Sequence, residues 1–248
     1  LPRYQNDKVF LEAEREKAAF VARHGNGHNV YLVVLESLLD PSLFKKLRLS
    51  RDPYSPEFRA LFGDKTGCSV SPVFAGGTAQ AEFEALCGAP ALRAVGNTEF
   101  ENLQNPVYCL PRTLAQAGYR TLVTQPFTPD LFNYSQGCEN IGFSEKYFLG
   151  RGENTYLKQS CVPPDLFMFD GDLFGQNLTF IKTDKGPFFN YLLGIYGHYP
   201  YKTVDPARPK LITTNAPATY LDPIANQFYY RTKAMAAFAG EIIRRDKK

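Results

Sequence analysis

Two short segments carry residues that could do chemistry together. The octapeptide Gly76-Gly77-Thr78-Ala79-Gln80-Ala81-Glu82-Phe83 delivers a hydroxyl from a glycine-rich turn to a helix start. The apolar run Asn29-Val30-Tyr31-Leu32-Val33-Val34-Leu35 ends on an acid, Glu36. A hydroxyl at such a turn suits a covalent nucleophile, and an acid at the tip of a buried strand suits a metal ligand. Threonine is a weak nucleophile at neutral pH and needs a base or a metal. The pair therefore reads as a metal-activated threonine in an enzyme domain handling phosphate esters. A helix start also favours phosphate, through free N–H groups and the helix dipole.

A third residue, His198, lies in Gly197-His198-Tyr199-Pro200, two residues past an apolar strand predicted over Pro187–Tyr196. Open α/β sheets gather ligands at the carboxyl ends of parallel strands, so Glu36, Thr78 and His198 are expected at one sheet edge. Each has a plainer reading. Glu36 could be a solvated strand end, His198 a turn residue and Thr78 a helix cap. The capping-box position would be Ala81 rather than Glu or Gln, so that motif is incomplete. The chain holds no G-x-S-x-G elbow, Walker loop or dinucleotide-binding glycine fingerprint.

The elements that must position these residues alternate. A helix is predicted over Asn6–Arg23, stopped by Gly25 and Gly27, and packed on the core rather than near a membrane. His24 and His28 have metal-ligand spacing, but the glycines between them make this a loop. Val30–Leu35 reads as a strand buried on both faces. Helices are expected over Glu57–Phe62, Ala79–Leu86 and Leu110–Ala117, a strand over Tyr119–Thr124, and an amphipathic helix starting near Asp165 and running to Phe180. A long helix over Ala225–Arg245 follows the second apolar strand. The pattern is α/β with a mostly parallel sheet. Its organisation is an N-terminal helix and connector (1–28) followed by one domain (29–248).

Composition bounds the function class. The chain has 248 residues, 44% apolar and 21% charged, with 20 Phe, 15 Tyr and no Trp. A net charge of +3 with scattered basic residues excludes a nucleic-acid reading. The basic end Arg244-Arg245-Asp246-Lys247-Lys248 is a solvated helix terminus. No apolar stretch reaches the ~20 residues of a membrane span. The first residue is Leu1, and the last ones read as a helix end, so a piece of a longer protein is expected. Five cysteines without a C-x-x-C pair leave disulfides and buried thiols both open.

Asn29–Asp40 (NVYLVVLESLLD), Ser71–Gly88 (SPVFAGGTAQAEFEALCG), Leu110–Thr121 (LPRTLAQAGYRT), Ile141-Gly142-Phe143 and Gly197–Tyr201 (GHYPY) stand in an order that resembles lipoteichoic acid synthase-like proteins. These are phosphoglycerol transferases of the sulfatase–alkaline phosphatase superfamily. The resemblance runs from Asn29 through nearly the whole chain. It implies an alkaline-phosphatase-like sandwich with helices on both sheet faces. It implies a divalent metal, manganese or zinc, with magnesium a further candidate, on the residues matching Glu36 and Thr78 and on an Asp-His pair. Thr78 would attack a membrane phospholipid head group and pass phosphoglycerol to a glycan or polymer acceptor, with His198 contacting phosphate or assisting proton transfer. The location implied is the cell envelope, on the extracytoplasmic face of the bacterial cytoplasmic membrane, tethered by segments outside this chain.

Two departures qualify that expectation. No Asp-His dipeptide occurs here. The family's pair follows the helix matching Ala225–Arg245, so this C-terminally truncated piece is expected to be catalytically incomplete. The family's Trp-Asn-Arg run, which grips the head group, is matched by Phe132-Asn133-Tyr134, and tyrosine lacks the arginine fork. Cys87 and Cys109 flank the site helix and its following loop and are the expected disulfide. The alternatives are a phosphoethanolamine transferase, a sulfatase-like hydrolase, or a non-catalytic glycan- or lipid-binding domain. The segment around Cys68 lacks the Pro and Arg spacing that a sulfatase needs.

Overall fold

The computed structural model describes residues 8–25, 27–63, 65–67, 69–71, 73, 77–91, 99–150, 154–161, 167–183, 186–201, 206–217 and 219–246. Gly76, the sulfatase-like Cys68 and the expected helix start at Asp165 lie outside them. The element order is α1 (Lys8–His24), β1 (Val30–Leu35), α2 (Pro56–Phe62), α3 (Thr78–Cys87), α4 (Glu99–Asn102), α5 (Leu110–Gln116), β2 (Arg120–Gln125), α6 (Tyr134–Ile141), β3 (Glu145–Phe148), α7 (Asp170–Phe180), β4 (Phe188–Gly194) and α8 (Leu221–Asp246). The strands form a four-stranded sheet in the order β1-β4-β2-β3. β2 runs parallel to β3, with Leu122 opposite Glu145, and parallel to β4, with Arg120 opposite Phe188. This is an α/β fold, a parallel sheet flanked by helices.

The sheet order explains where the core sits. β4 and β2 are central; every β4 residue is buried, as is all of β2 except Arg120. β1 lies outermost and is only half-buried along its length, not covered on both faces as its apolar run suggested. Apolar composition reports that a strand is sheltered. It does not report whether the shelter comes from a neighbouring strand or from packing on one face.

The chain divides into two compact units. The first comprises residues 1–34, 69–157 and 183–193, and so holds the sheet except for the last residues of β1 and β4, Leu35 and Gly194. Its aromatic core runs Phe83–Phe100–Tyr134–Phe148 through edge-on contacts of 5.3–6.1 Å between centroids. Such pairs add to simple area burial. α1 packs on α5 by burying little beyond Glu14 and Ala18. Glu14 accepts from Lys17 Nζ at 2.5 Å and from the Thr113 hydroxyl at 3.3 Å. α5 opens with Pro111 in its first turn, where a missing N–H costs nothing.

The second unit comprises residues 35–68, 158–182 and 194–248. Here α2 and α7 pack on α8, with Tyr54 edge-on to Phe228 and Phe174 stacked on Phe238 at 4.6 Å. α7 begins at Asp170, and the described residues 167–169 before it are not helical. Phe169 is extended (φ −63°, ψ 136°), and the Asp170 side chain is taken up by an interior partner. None of the described helices is long and apolar enough to cross a membrane.

The segment before α8 is tied down by an isolated antiparallel bridge between Thr214 and Leu49 and by side chains. Asn226 Oδ1 accepts from the Leu211 and Ile212 amides at 2.7 and 2.9 Å. Asp222, in the first turn of α8, accepts from the Thr214 amide and hydroxyl and pairs with Lys210. Burial works against its charge, but the bonds from Lys210 and Thr214 outweigh it and hold the carboxyl below its usual range. A lowered folded value means that stabilisation is complete above the unfolded value near 3.8 and is lost as pH falls through the folded value. Asp222→Asn is expected to cost about 1–3 kcal/mol at pH 7. That difference should shrink in urea melts taken below about pH 3.

Candidate functional site

Thr78 is the first helical residue of α3. The cap is Gly77, whose carbonyl accepts from the Gln80 and Ala81 amides at 3.0 and 3.3 Å. Thr78 is therefore not the N-cap that one reading allowed; its backbone is already helical. Gly77 is required by space, since a Cβ there would lie 2.5 Å from Val73 Cγ2 and 3.0 Å from Gln80 Oε1. The helix closes on Gly88 in the left-handed region, whose N–H donates to the Glu84 carbonyl. A disulfide joins Cys87, the last residue of α3, to Cys109, the residue before α5.

One turn beyond Thr78 sits a residue that sequence reasoning passed over. Glu82 is buried, and its Oε2 accepts from Tyr134 and, at 2.6 Å, from Tyr191. Both phenols are fully enclosed. Burial, then the charge of Glu82, pushes both well above the ordinary tyrosine value, so they remain donors. Burial likewise raises Cys138 beside them. This carboxylate binds α3 to α6 and β4. The sequence did carry a signal: Glu82 interrupts an otherwise small and apolar helix face of Ala79, Phe83 and Leu86.

The ring of Tyr134 lies in the aromatic core, and its hydroxyl donates to Glu82. Phe132 and Asn133, by contrast, sit in a left-handed turn (φ +57° and +54°) ahead of α6. Asn133 is exposed, and its Nδ2 donates to the Phe100 carbonyl at 3.2 Å. Non-glycine residues held there store strain of order 1–3 kcal/mol each.

In the second unit, Glu36 and His198 come together. Glu36 follows β1, donates its N–H to the Gly194 carbonyl at 2.8 Å, and precedes Ser37 at φ +51°. Its carboxylate is 13% exposed and lies 3.8 Å from His198 Nε2, while the His198 ring is 47% exposed. His198 Nδ1 lies 2.5 Å from the Tyr199 carbonyl, and the ring packs on Phe167. A carbonyl only accepts, so this contact is a hydrogen bond when Nδ1 carries a proton. At 3.8 Å the two groups do not share a hydrogen bond. They are two ionisable groups facing each other across 3.8 Å. Thr78, Phe132 and Asn133 belong to the first unit, and Glu36 and His198 to the second.

Behind that pair lies an ion pair that the sequence did not disclose. Arg231 Nε donates to Asp170 Oδ2 at 2.6 Å, with side chains 1% and 0% exposed. Asp170 Oδ1 also receives the Tyr196 amide at 3.5 Å. Among the described residues, no three His, Cys, Asp or Glu side chains gather as a metal cage. Glu36 and His198 fall short of the about four donors that a held zinc takes. The residues present do not by themselves fit a closed metal centre.

The Sulfatase family profile matches residues 28–233. A protein of Rhizobium meliloti (strain 1021) named for cyclic beta-1,2-glucan modification is 29% identical over 181 residues, 72% of this chain and 27% of that protein. Among solved structures, the lipoteichoic acid synthase LtaP of Listeria monocytogenes superposes with a TM-score of 0.71 at 16% identity, over 88% of this chain and 52% of that one. Streptococcus pyogenes phosphoglycerol transferase GacH, solved with sn-glycerol-1-phosphate, gives 0.71 at 20% identity over 94% and 64%. An alkaline phosphatase superfamily protein of Vibrio parahaemolyticus gives 0.57 at 18% identity over 86% and 49%. The chain thus spans about a quarter of the curated relative's length and about half of the first solved structure's.

Removing the buried acid strands two phenols. Glu82→Ala is expected to destabilise the protein by about 2–5 kcal/mol, measured as a shift of the urea midpoint. Alkaline titration gives a separate check. The folded phenols titrate above their unfolded value of 10.0, so their contribution is complete below pH 10 and is lost as pH rises through the folded values. Tyr134→Phe should flatten that alkaline fall in stability, and a curve unchanged from wild type would contradict the assignment.

Proposed function

The chain belongs to the sulfatase family, and from that premise we propose that it is the catalytic part of an enzyme that moves a phosphoglycerol-type head group through Thr78. The observation that carries the reading is the placement of Thr78. A hydroxyl that does not cap its helix stands in the first turn behind a glycine where a Cβ would crowd the Val73 and Gln80 side chains. Glu82 and the Cys87–Cys109 bridge hold that helix from within and at its far end. The first turn of a helix is suited to an anion. Two of the structural neighbours are a lipoteichoic acid synthase and a phosphoglycerol transferase, which supports the choice of head group.

In the proposed reaction, Thr78 Oγ1 attacks the phosphorus of a membrane phospholipid. The Oγ1–P bond forms as the P–O bond to diacylglycerol breaks, and diacylglycerol leaves carrying the proton lost by threonine. An acceptor hydroxyl then attacks the same phosphorus, its proton returns to Thr78, and phosphoglycerol passes to a glycan or polymer. His198, whose ring is half exposed, is the candidate for contact with phosphate or for proton transfer. Metal dependence on manganese or zinc belongs to the proposal, with Glu36 as the carboxylate ligand. It needs more ligands than the described residues bring together. The disulfide supports an extracytoplasmic site of action, since such bonds persist in oxidising compartments.

Burial of Tyr134 keeps a second reading in play. No arginine fork meets the head group from that position, so phosphoethanolamine transfer uses the same nucleophile equally well. The full-length protein, incubated with phosphatidylglycerol or phosphatidylethanolamine and digested, should yield a phosphoglycerol or phosphoethanolamine adduct on the Thr78 peptide. Thr78→Ala should abolish the adduct and lower turnover by more than about a thousandfold. Full turnover in Thr78→Ala would sink the mechanism.

A further inference from the structure

We propose that Asp170 and Arg231 are positioning residues that set the distance between Glu36 and His198. The inference rests on reading that pair as site residues, but its geometry stands apart from the chemistry of Thr78. Three observations converge on the turn that ends β4, Gly194-Ile195-Tyr196-Gly197-His198. A Cβ on Gly197 would lie 2.1 Å from Arg231 Nη1 and 2.4 Å from the Glu36 carbonyl oxygen. The guanidinium and the backbone of Glu36 therefore both press on the residue immediately before His198. A Cβ on Gly194 would lie 2.4 Å from Asp170 Oδ1 and 2.8 Å from Leu35 Cδ2. Asp170 thus abuts the residue whose carbonyl receives the Glu36 amide. Asp170 also receives the Tyr196 amide, which fixes the middle of the turn.

The pair is an expensive way to fill this space. Buried ion pairs are often matched or surpassed in stability by apolar residues of similar volume. Here the pair is also incompletely satisfied, because Arg231 Nη2 is buried without a hydrogen-bond partner. A carboxylate against Gly194, bonded to a planar fork against Gly197, does something an apolar pair does not. Its position is set by the bond to Asp170, and it transmits that position to Gly197 and so to His198. The glycines are then explained together: they let the ion pair approach the two backbone segments that carry Glu36 and His198.

The test reads the coupling of the two site residues directly. With 15N-histidine labelling of the 248-residue chain, three imidazoles are followed, those of His24, His28 and His198. In the wild-type background, Glu36→Gln is expected to move the His198 imidazole signals and leave the other two in place. In the double variant Asp170→Leu with Arg231→Met, the same Glu36→Gln change should move them by less than a third as much. Unchanged His24 and His28 signals and a cooperative melt would show that the fold survives. Should that variant not fold, Arg231→Lys serves. It keeps a charge on Asp170 but lacks the fork beside Gly197, and at least half of the response should vanish. An undiminished His198 response in the folded variant overturns the proposal, as does a wild-type response of zero. The Thr78 adduct is scored separately, so lost coupling with no adduct in wild type would retain the positioning role and reject the transferase reading.

Discussion

Taking a carboxylate out of water costs several kcal/mol unless donors replace the lost hydration. Each compact unit of this protein does so once at its centre, and the neighbouring site residue depends on how the carboxylate is satisfied. In the first unit, Glu82 is met by two phenols, one from α6 and one from β4. These three elements therefore have one mutual arrangement, and the helix that starts at Thr78 cannot rotate without stranding three polar groups. In the second, Asp170 is met by a guanidinium from α8 and by the backbone of the turn after β4. The turn that presents His198 inherits that arrangement.

The two solutions differ in kind. Phenols raised well above their ordinary titration range stay neutral, so Glu82 keeps its donors across physiological pH. The Asp170–Arg231 pair is ionic, and the strand and turn beside it must yield space, which is why Gly194 and Gly197 lack side chains. Strain collects at the same places. Ser37 follows Glu36, and Phe132 and Asn133 precede the helix that delivers Tyr134; all three hold left-handed backbone without being glycine. Such positions persist only where the surroundings over-determine them.

Much of the architecture was legible in the residues. Helix and strand periods located β1, β2, β4, α3, α5 and α8 to within a few positions, because each is long enough to show its own pattern. β3, with four residues, and α4, with four, are too short to carry a period, and the eight-residue α6 turns Gly137 and Asn140 inward, residues that no apolar pattern marks. Asp170 stands in the first turn of α7, and its side chain serves a partner sixty-one residues away, which no local pattern records.

The sequence by itself determined the kinds of group available: a glycine-delivered threonine, an acid ending an apolar run, and a histidine after a second one. Local chemistry suffices for that, since turns, caps and strand ends are written in adjacent residues. Only the tertiary structure decided which of these groups meet and which are withdrawn. It brought Glu36 to 3.8 Å from His198, enclosed Tyr134, and showed Glu82, Asp170 and Arg231 to be interior anchors. The reason is physical. Whether a polar side chain faces water or a buried partner depends on donors contributed by segments distant in the chain, and no local pattern records them.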